Sequence, residues 1–204
     1  MKILSISDRV DPSLYGPVLE ARASGVEAII SCGDLPFEYL EYLVTFVDVP
    51  LFYVRGNHDP SEDSGKRPGG CIPLDGRIEE VGGLSLAGLP GCLWYSGGAN
   101  QYTERQMRRR GRSLSLRLSF RSLLGRDRPV VFVSHAAPLG LGDADDPCHR
   151  GFETFLSLTR RHNPSLWVHG HVHLYGRMED DVSRDLLADS TPVVNAYRYR
   201  ILEI

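Results

Sequence analysis

Short apolar runs in this chain end, again and again, in a residue able to hold a cation. Residues 2–6 run into Ser7-Asp8, residues 27–31 into Cys32-Gly33-Asp34, and residues 51–54 into Arg55-Gly56-Asn57-His58-Asp59. Val130–Val133 leads to Ser134-His135, and Leu166–Val168 leads to His169-Gly170-His171-Val172-His173. Short apolar runs bounded by turn formers read as buried strands. Helical patterns stand between the first three, from Pro12 to about Ser24 and from Pro36 to about Phe46. Proline is tolerated at both starts because the first helical N–H groups have no partner to lose. Strands alternating with helices predict a parallel sheet with helical crossovers. In such sheets the carboxyl ends of the strands border the functional crevice, so residues far apart in sequence can converge there.

The middle and the tail follow a different pattern. Residues 60–70, 89–101 and 136–150 have loop composition, while 77–81 and 84–88, split by Gly82-Gly83, predict a hairpin. Residues 102–124 are ambiguous: Leu114, Leu116, Leu118 and Phe120 alternate with period two, but length and scarcity of glycine favour a helix. A helix is expected near 151–162, and strand-like pieces near 174–179, 185–188, 192–195 and 198–203. With no linker, repeat or low-complexity tract, residues 1–204 are expected to form one domain.

Composition narrows the partners. The net charge of −3 calls for neither nucleic acid nor an anionic membrane. No apolar run approaches the ~20 residues of a membrane helix, and the N-terminus is too short and too soon charged for a secretion signal. The four cysteines, Cys32, Cys71, Cys92 and Cys148, show no paired spacing, so reduced thiols and a cytoplasmic location are expected.

Aspartate, asparagine and histidine together suit Mn, Fe or Zn rather than a thiolate site. The strand ends supply more ligand-type residues than one tetrahedral ion with an open position can use. Two divalent ions sharing a carboxylate would use them naturally. The order Asp8, Gly33-Asp34, Gly56-Asn57-His58-Asp59, His135 and Gly170-His171-Val172-His173 resembles the calcineurin-like metallophosphoesterase family. That resemblance implies an α/β fold, a four-layer αββα sandwich of two mixed β-sheets. It also implies hydrolysis of phosphodiesters or phosphomonoesters, with a metal-bound hydroxide attacking phosphorus in line. Asp34 would bridge two divalent ions, Asp8 and His173 would hold the first, and Asn57, His135 and His171 the second. His58 would be catalytic, stabilising the transition state or protonating the leaving oxygen, and Asp59 would orient it.

The family's first motif usually reads Asp-x-His, and here the run is Asp8-Arg9-Val10. Val10 cannot coordinate, so a weak first metal site is expected, with Asp11 as a conceivable replacement ligand. This departure also gives foothold to an alternative, a phosphoesterase fold acting as a binding or scaffold protein. Arg9, Arg55 and His149 are candidate contacts to a small phosphorylated substrate, although the two arginines could equally pair with Asp59, Glu62 or Asp63. Trp94 and Tyr95 could stack on a nucleobase or rest on the core. His169 and His162 read as structural, the latter as a charge partner of a helix C-terminus. Arg105, Arg108, Arg109, Arg110 and Arg112 read as a solvated helix face rather than a nucleic-acid surface.

Overall fold

The computed structural model of the chain describes residues 1–174, 185–186 and 191–204. The early apolar runs form β1 (Lys2–Ser7), β2 (Ala28–Ser31) and β3 (Leu51–Tyr53), side by side and parallel. β4 (Ile72–Pro73) extends this sheet beyond β3, and β13 (Arg198–Glu203) closes its other edge antiparallel to β1, with Lys2 opposite Glu203.

The second sheet is also mixed. The expected hairpin is β5 (Ile78–Val81) and β6 (Leu84–Leu89). Parallel to β6 run β9 (Val130–Ser134), β10 (Leu166–His169) and β12 (Pro192–Asn195), and β11 (Asp185–Leu186) pairs antiparallel with β12. A short parallel pair, β7 (Cys92–Leu93) and β8 (Gln101–Tyr102), lies in the expected loop at 89–101 and ends one residue beyond it, at Tyr102. The strand expected at 174–179 falls, beyond Leu174, outside the described residues, as do residues 187–188.

Strand alternation sorts side chains into three seams. Ile3, Ala28, Ile30 and Phe52 face Leu86, Val131, Val133 and Val168 across the gap between the sheets. The alternate residues Leu4, Ile6, Ile29 and Leu51 pack under α1 (Gly16–Arg22) and α2 (Phe37–Phe46). On the far side, Phe132, Trp167 and Val193 pack under α3 (Glu104–Leu123) and α4 (Glu153–His162). Helix, sheet, sheet and helix are thus stacked in the expected αββα order.

Two elements differ from the sequence expectation or settle an ambiguity. The helix expected from Pro12 is broken: Asp11 caps a 3-10 turn over Pro12–Leu14, Tyr15 is extended, and α1 begins only at Gly16. The ring of Tyr15 lies against Tyr42 (centroids 4.7 Å apart) and Tyr39 (5.4 Å) of α2, which fixes the break. The ambiguous stretch is the helix α3. Thr103 and Gln106 form a reciprocal capping box at its start, and Met107, Gly111, Leu114, Ser115 and Leu118 make a helical buried face. The period-two run is therefore split, with Leu114 and Leu118 inside and Leu116 and Phe120 outside.

Candidate metal centre

The carboxyl ends of β1, β2, β3, β9 and β10 point the same way, and the loops after them converge. Asp8, Asp34 and His171 each follow a strand with positive φ (63°, 57° and 69°). Non-glycine residues adopt this left-handed conformation rarely, and such corners cluster at functional sites. Glycine makes room beside them. A Cβ on Gly56 would collide with the Asp34 carboxylate, and one on Gly170 with Ser7 Oγ.

Asp34 is the hub. Its Oδ1 accepts the backbone N–H of His58 (2.8 Å), and its Oδ2 stands 3.2 Å from His135 Nε2. His135 Nδ1 donates to the carbonyl of Cys32 (2.7 Å), so that nitrogen carries a proton and Nε2 faces Asp34 and Asn57 Oδ1 (2.9 Å). Burial alone would raise the pKa of Asp34, but His135 and the His58 N–H hold it down at about 2. Burial works against charge on His135 too, yet Asp34 and Asp8 lift its pKa to about 9. Positive charge is therefore favoured at the point where these groups meet.

His171 completes the group. Its Nε2 donates to the carbonyl of Cys148 (2.7 Å), leaving Nδ1 as the lone-pair nitrogen. Burial, reinforced by the neighbouring His135, lowers its pKa to about 4, so the ring is neutral and able to coordinate. Ligand atoms of Asp34, His135 and His171 all lie within 4.8 Å of one another. On the other side of the centre, Asp8 Oδ2 accepts the backbone N–H of His171 (2.9 Å). Asp8 Oδ1 is buried and accepts no hydrogen bond among the described residues, with His173 Nε2 3.7 Å away. A buried carboxylate oxygen left in this way, near the lone-pair nitrogen of neutral His171 and the amide oxygen of Asn57, is a donor set that fits a divalent cation, whose charge would take the place of the proton on His135.

The remaining sequence candidates divide. His58 is exposed at the rim of a cavity of about 430 Å³, lined also by Asp34, Phe37 and Lys66. Arg9 is exposed next to Asp8. His149 stands over the centre, its ring 4.9 Å from that of His171 and 6.4 Å from that of His173, with Nδ1 held by Asp146.

Arg55 is a correction. It is 1% exposed and paired with Asp75, which also accepts its backbone N–H (2.9 Å), so it braces the loop and cannot touch substrate. Asp59 is another: its Oδ2 accepts the N–H groups of Asp34 (2.9 Å) and Gly56 (2.8 Å), and no hydrogen bond joins it to the His58 ring among the described residues. It ties two ligand loops together instead of orienting the imidazole.

Asp11 is no replacement ligand, because it caps Ser13 and pairs with Arg198 (2.8 Å). Val10 packs with the seam beneath α1 and α2. His162 does not serve mainly as a charge partner: its Nε2 is 2.7 Å from Ser115 Oγ in the α3–α4 seam. His169 is structural, as expected, being buried with Nδ1 on its neighbour's carbonyl.

Sequence reasoning missed Asn100, whose side-chain amide donates to the carbonyls of Gly56 (2.8 Å) and Asp59 (3.0 Å). It also missed the Cys148 carbonyl that sets the tautomer of His171. Only the positive φ of Asn100 (51°) fits a residue type enriched there; a backbone carbonyl leaves no mark in sequence. Tyr95 turns its hydroxyl to Asn57 Nδ2 (3.5 Å) rather than into the core.

The family model for calcineurin-like phosphoesterases matches residues 18–175. The chain belongs to the calcineurin-like phosphoesterase family. Members of this family bind divalent metals, and the residues gathered here are candidate ligands. The match begins after Asp8–Val10, the segment that departs from the family pattern. One solved crystal structure superposes with a TM-score of 0.70 at 16% identity, covering 98% of this chain and 94% of the other. The protein TT1561 of Thermus thermophilus superposes with a TM-score of 0.67 at 19% identity, over 98% of this chain and 93% of that one. At such identities these likenesses show the shared fold. No curated protein matches the chain by sequence.

Proposed function

We propose that the chain is a metal-dependent hydrolase of phosphate esters. The observation that carries this reading is the convergence of Asp34, Asn57, His135 and His171 from separate strand ends, their donor atoms turned to one point. Asp34 would serve two divalent ions, with Asp8 and His173 on one side and Asn57, His135 and His171 on the other. Bound there, the ions would supply an activated water and neutralise phosphoryl charge. The protein's own part is to fix that geometry. The Cys32 and Cys148 carbonyls hold the two imidazoles in the required tautomers, and Asp59 and Asn100 lock the Asn57 loop. Exposed His58 lines a cavity together with Asp34 and would donate a proton to the leaving oxygen of an ester bound beside the ions.

Manganese-supplemented hydrolysis of an aryl phosphodiester and an aryl phosphomonoester tests the activity. His58→Ala should lower turnover about a hundredfold or more on a poor leaving group while leaving manganese affinity unchanged by calorimetry. Full rate in that variant would remove His58 from the chemistry.

The two sites should differ in strength. Val10 lies in the helical seam and Asp11 is engaged elsewhere, so the side that Asp8 and His173 would hold gains no ligand from the first motif or from Asp11 among the described residues. Isothermal titration with manganese is expected to resolve a tighter and a weaker event; two equally tight events would contradict this. The same incomplete side supports the second reading, a fold that acts by binding alone. Absence of metal-dependent hydrolysis of both esters would favour it.

A further inference from the structure

Helix α3 turns an unusual face outward. Met107, Gly111, Leu114, Ser115 and Leu118 point to the core, so the opposite side carries Arg105, Arg109, Arg112, Leu116, Phe120 and Leu123 at spacings of three and four. The first half of this stripe is cationic and the second apolar. Leu116, Phe120 and Leu123 are 66%, 62% and 83% exposed, and Leu124 beside them is exposed as well. Single exposed leucines are ordinary; a contiguous strip of large apolar side chains marks an interaction surface.

Charge is concentrated at the same place. In a chain of net charge −3, α3 carries seven arginines and α4 two, against one glutamate on each. Glu104 is turned into the seam, where it accepts from Thr154 and from the N–H of Glu153. Arg121 pairs with Glu80 and Arg110 lies over the ring of Tyr102, whereas Arg105, Arg108, Arg109 and Arg112 make no ion pair among the described residues. Beside the stripe, a groove of about 520 Å³ between α3 and α4 is lined by Arg108, Arg112, Ser115, Ser157, Arg160 and Arg161. Guanidinium groups and hydroxyls around a groove suit a phosphate group.

We propose that this face docks the protein on an anionic phospholipid bilayer. The arginines lie at headgroup level, and Leu116, Phe120 and Leu123 enter the acyl boundary. Both halves of the stripe are then satisfied. A nucleic acid would match the arginines but leave the apolar half in water. A second copy would bury the apolar half but bring arginines together with almost no acid to meet them. Surface binding needs no crossing helix, and no helix among the described residues is long and apolar enough to cross a membrane. None of these residues belongs to the metal centre, so the inference stands apart from the proposed hydrolysis.

Flotation of the intact protein with vesicles of phosphatidylcholine alone, and of phosphatidylcholine with phosphatidylserine, tests it. Binding is expected only to the second kind, reversed by salt. Replacing both Phe120→Ser and Leu123→Ser should weaken binding by about tenfold or more. Arg105→Gln with Arg109→Gln should weaken it by about fivefold per charge and flatten its salt dependence. All four positions are exposed, and unchanged thermal melts would show that the variants fold. Failure to float with phosphatidylserine vesicles would overturn the proposal. So would flotation undiminished in both variants, retention by RNA without vesicle binding, or a dimer dissociated by Leu123→Ser without vesicle binding.

Discussion

Asp34→Asn is expected to abolish metal-dependent hydrolysis, with turnover on an aryl phosphodiester falling about a thousandfold or more, equivalent to roughly 4 kcal/mol of lost charge stabilisation. The substitution is nearly isosteric, and asparagine tolerates the left-handed backbone at this corner, so the protein should still fold. What disappears is the charge at the hub. A second signature follows from the coupling between Asp34 and His135. The acid helps lift the imidazole to about 9, and burial would then dominate, so in the variant the His135 pKa should fall. NMR titration of the metal-free protein reads this directly, and calorimetry reads manganese binding. Unchanged manganese affinity together with an unchanged His135 pKa would mean that Asp34 is not the hub.

Asp75→Ala should be the most destabilising single change outside the metal centre. It strands the Arg55 guanidinium, 1% exposed, and removes the acceptor of the Arg55 N–H. Breaking a buried pair by deleting one partner costs about 3–5 kcal/mol. For a chain of this length that lowers Tm by roughly 6–20 °C. The double variant Arg55→Met with Asp75→Leu should recover much of the loss, because the penalty lies in the unpaired charge rather than in the missing attraction. A melt for Asp75→Ala within a degree or two of the parent would show that the pair is not a brace. Since Arg55 directly precedes Gly56-Asn57, the single variant should also loosen the Asn57 loop and weaken manganese binding.

The strands, and the corners that carry the ligand-type residues, are legible in the sequence because each combines two signals. An apolar run such as Ile3–Ile6 reports burial, and the polar residue after it reports an end. Once the sheet is parallel, those ends share an edge. Arg55 is misread because sequence shows only its neighbours. Its true partner arrives at the end of β4 through a bridge between Asp75 and Gly88, a tertiary contact that no local pattern announces. Asp59 is misplaced for a related reason, since its partners are backbone N–H groups, which every residue but proline possesses. On α3 the leucine alternation suggests strand because half of it faces water. Only the capping box and the buried face at helical spacing explain why those leucines lie where they do.

The register of β1 against β13 sets an order on assembly. Asp8 and Asp34 lie at the ends of strands in a sheet whose outer edge, beside β1, is covered by residues 198–203. During synthesis β1, β2 and β3 emerge early, but β1 keeps a row of unsatisfied amides until β13 arrives nearly two hundred residues later. Such distant pairing is slow to form and leaves an edge open to strands of other chains. Yield in the cell should therefore respond to how fast translation moves from residue 7 to residues 198–203, and aggregates formed on the way should contain paired copies of residues 2–7.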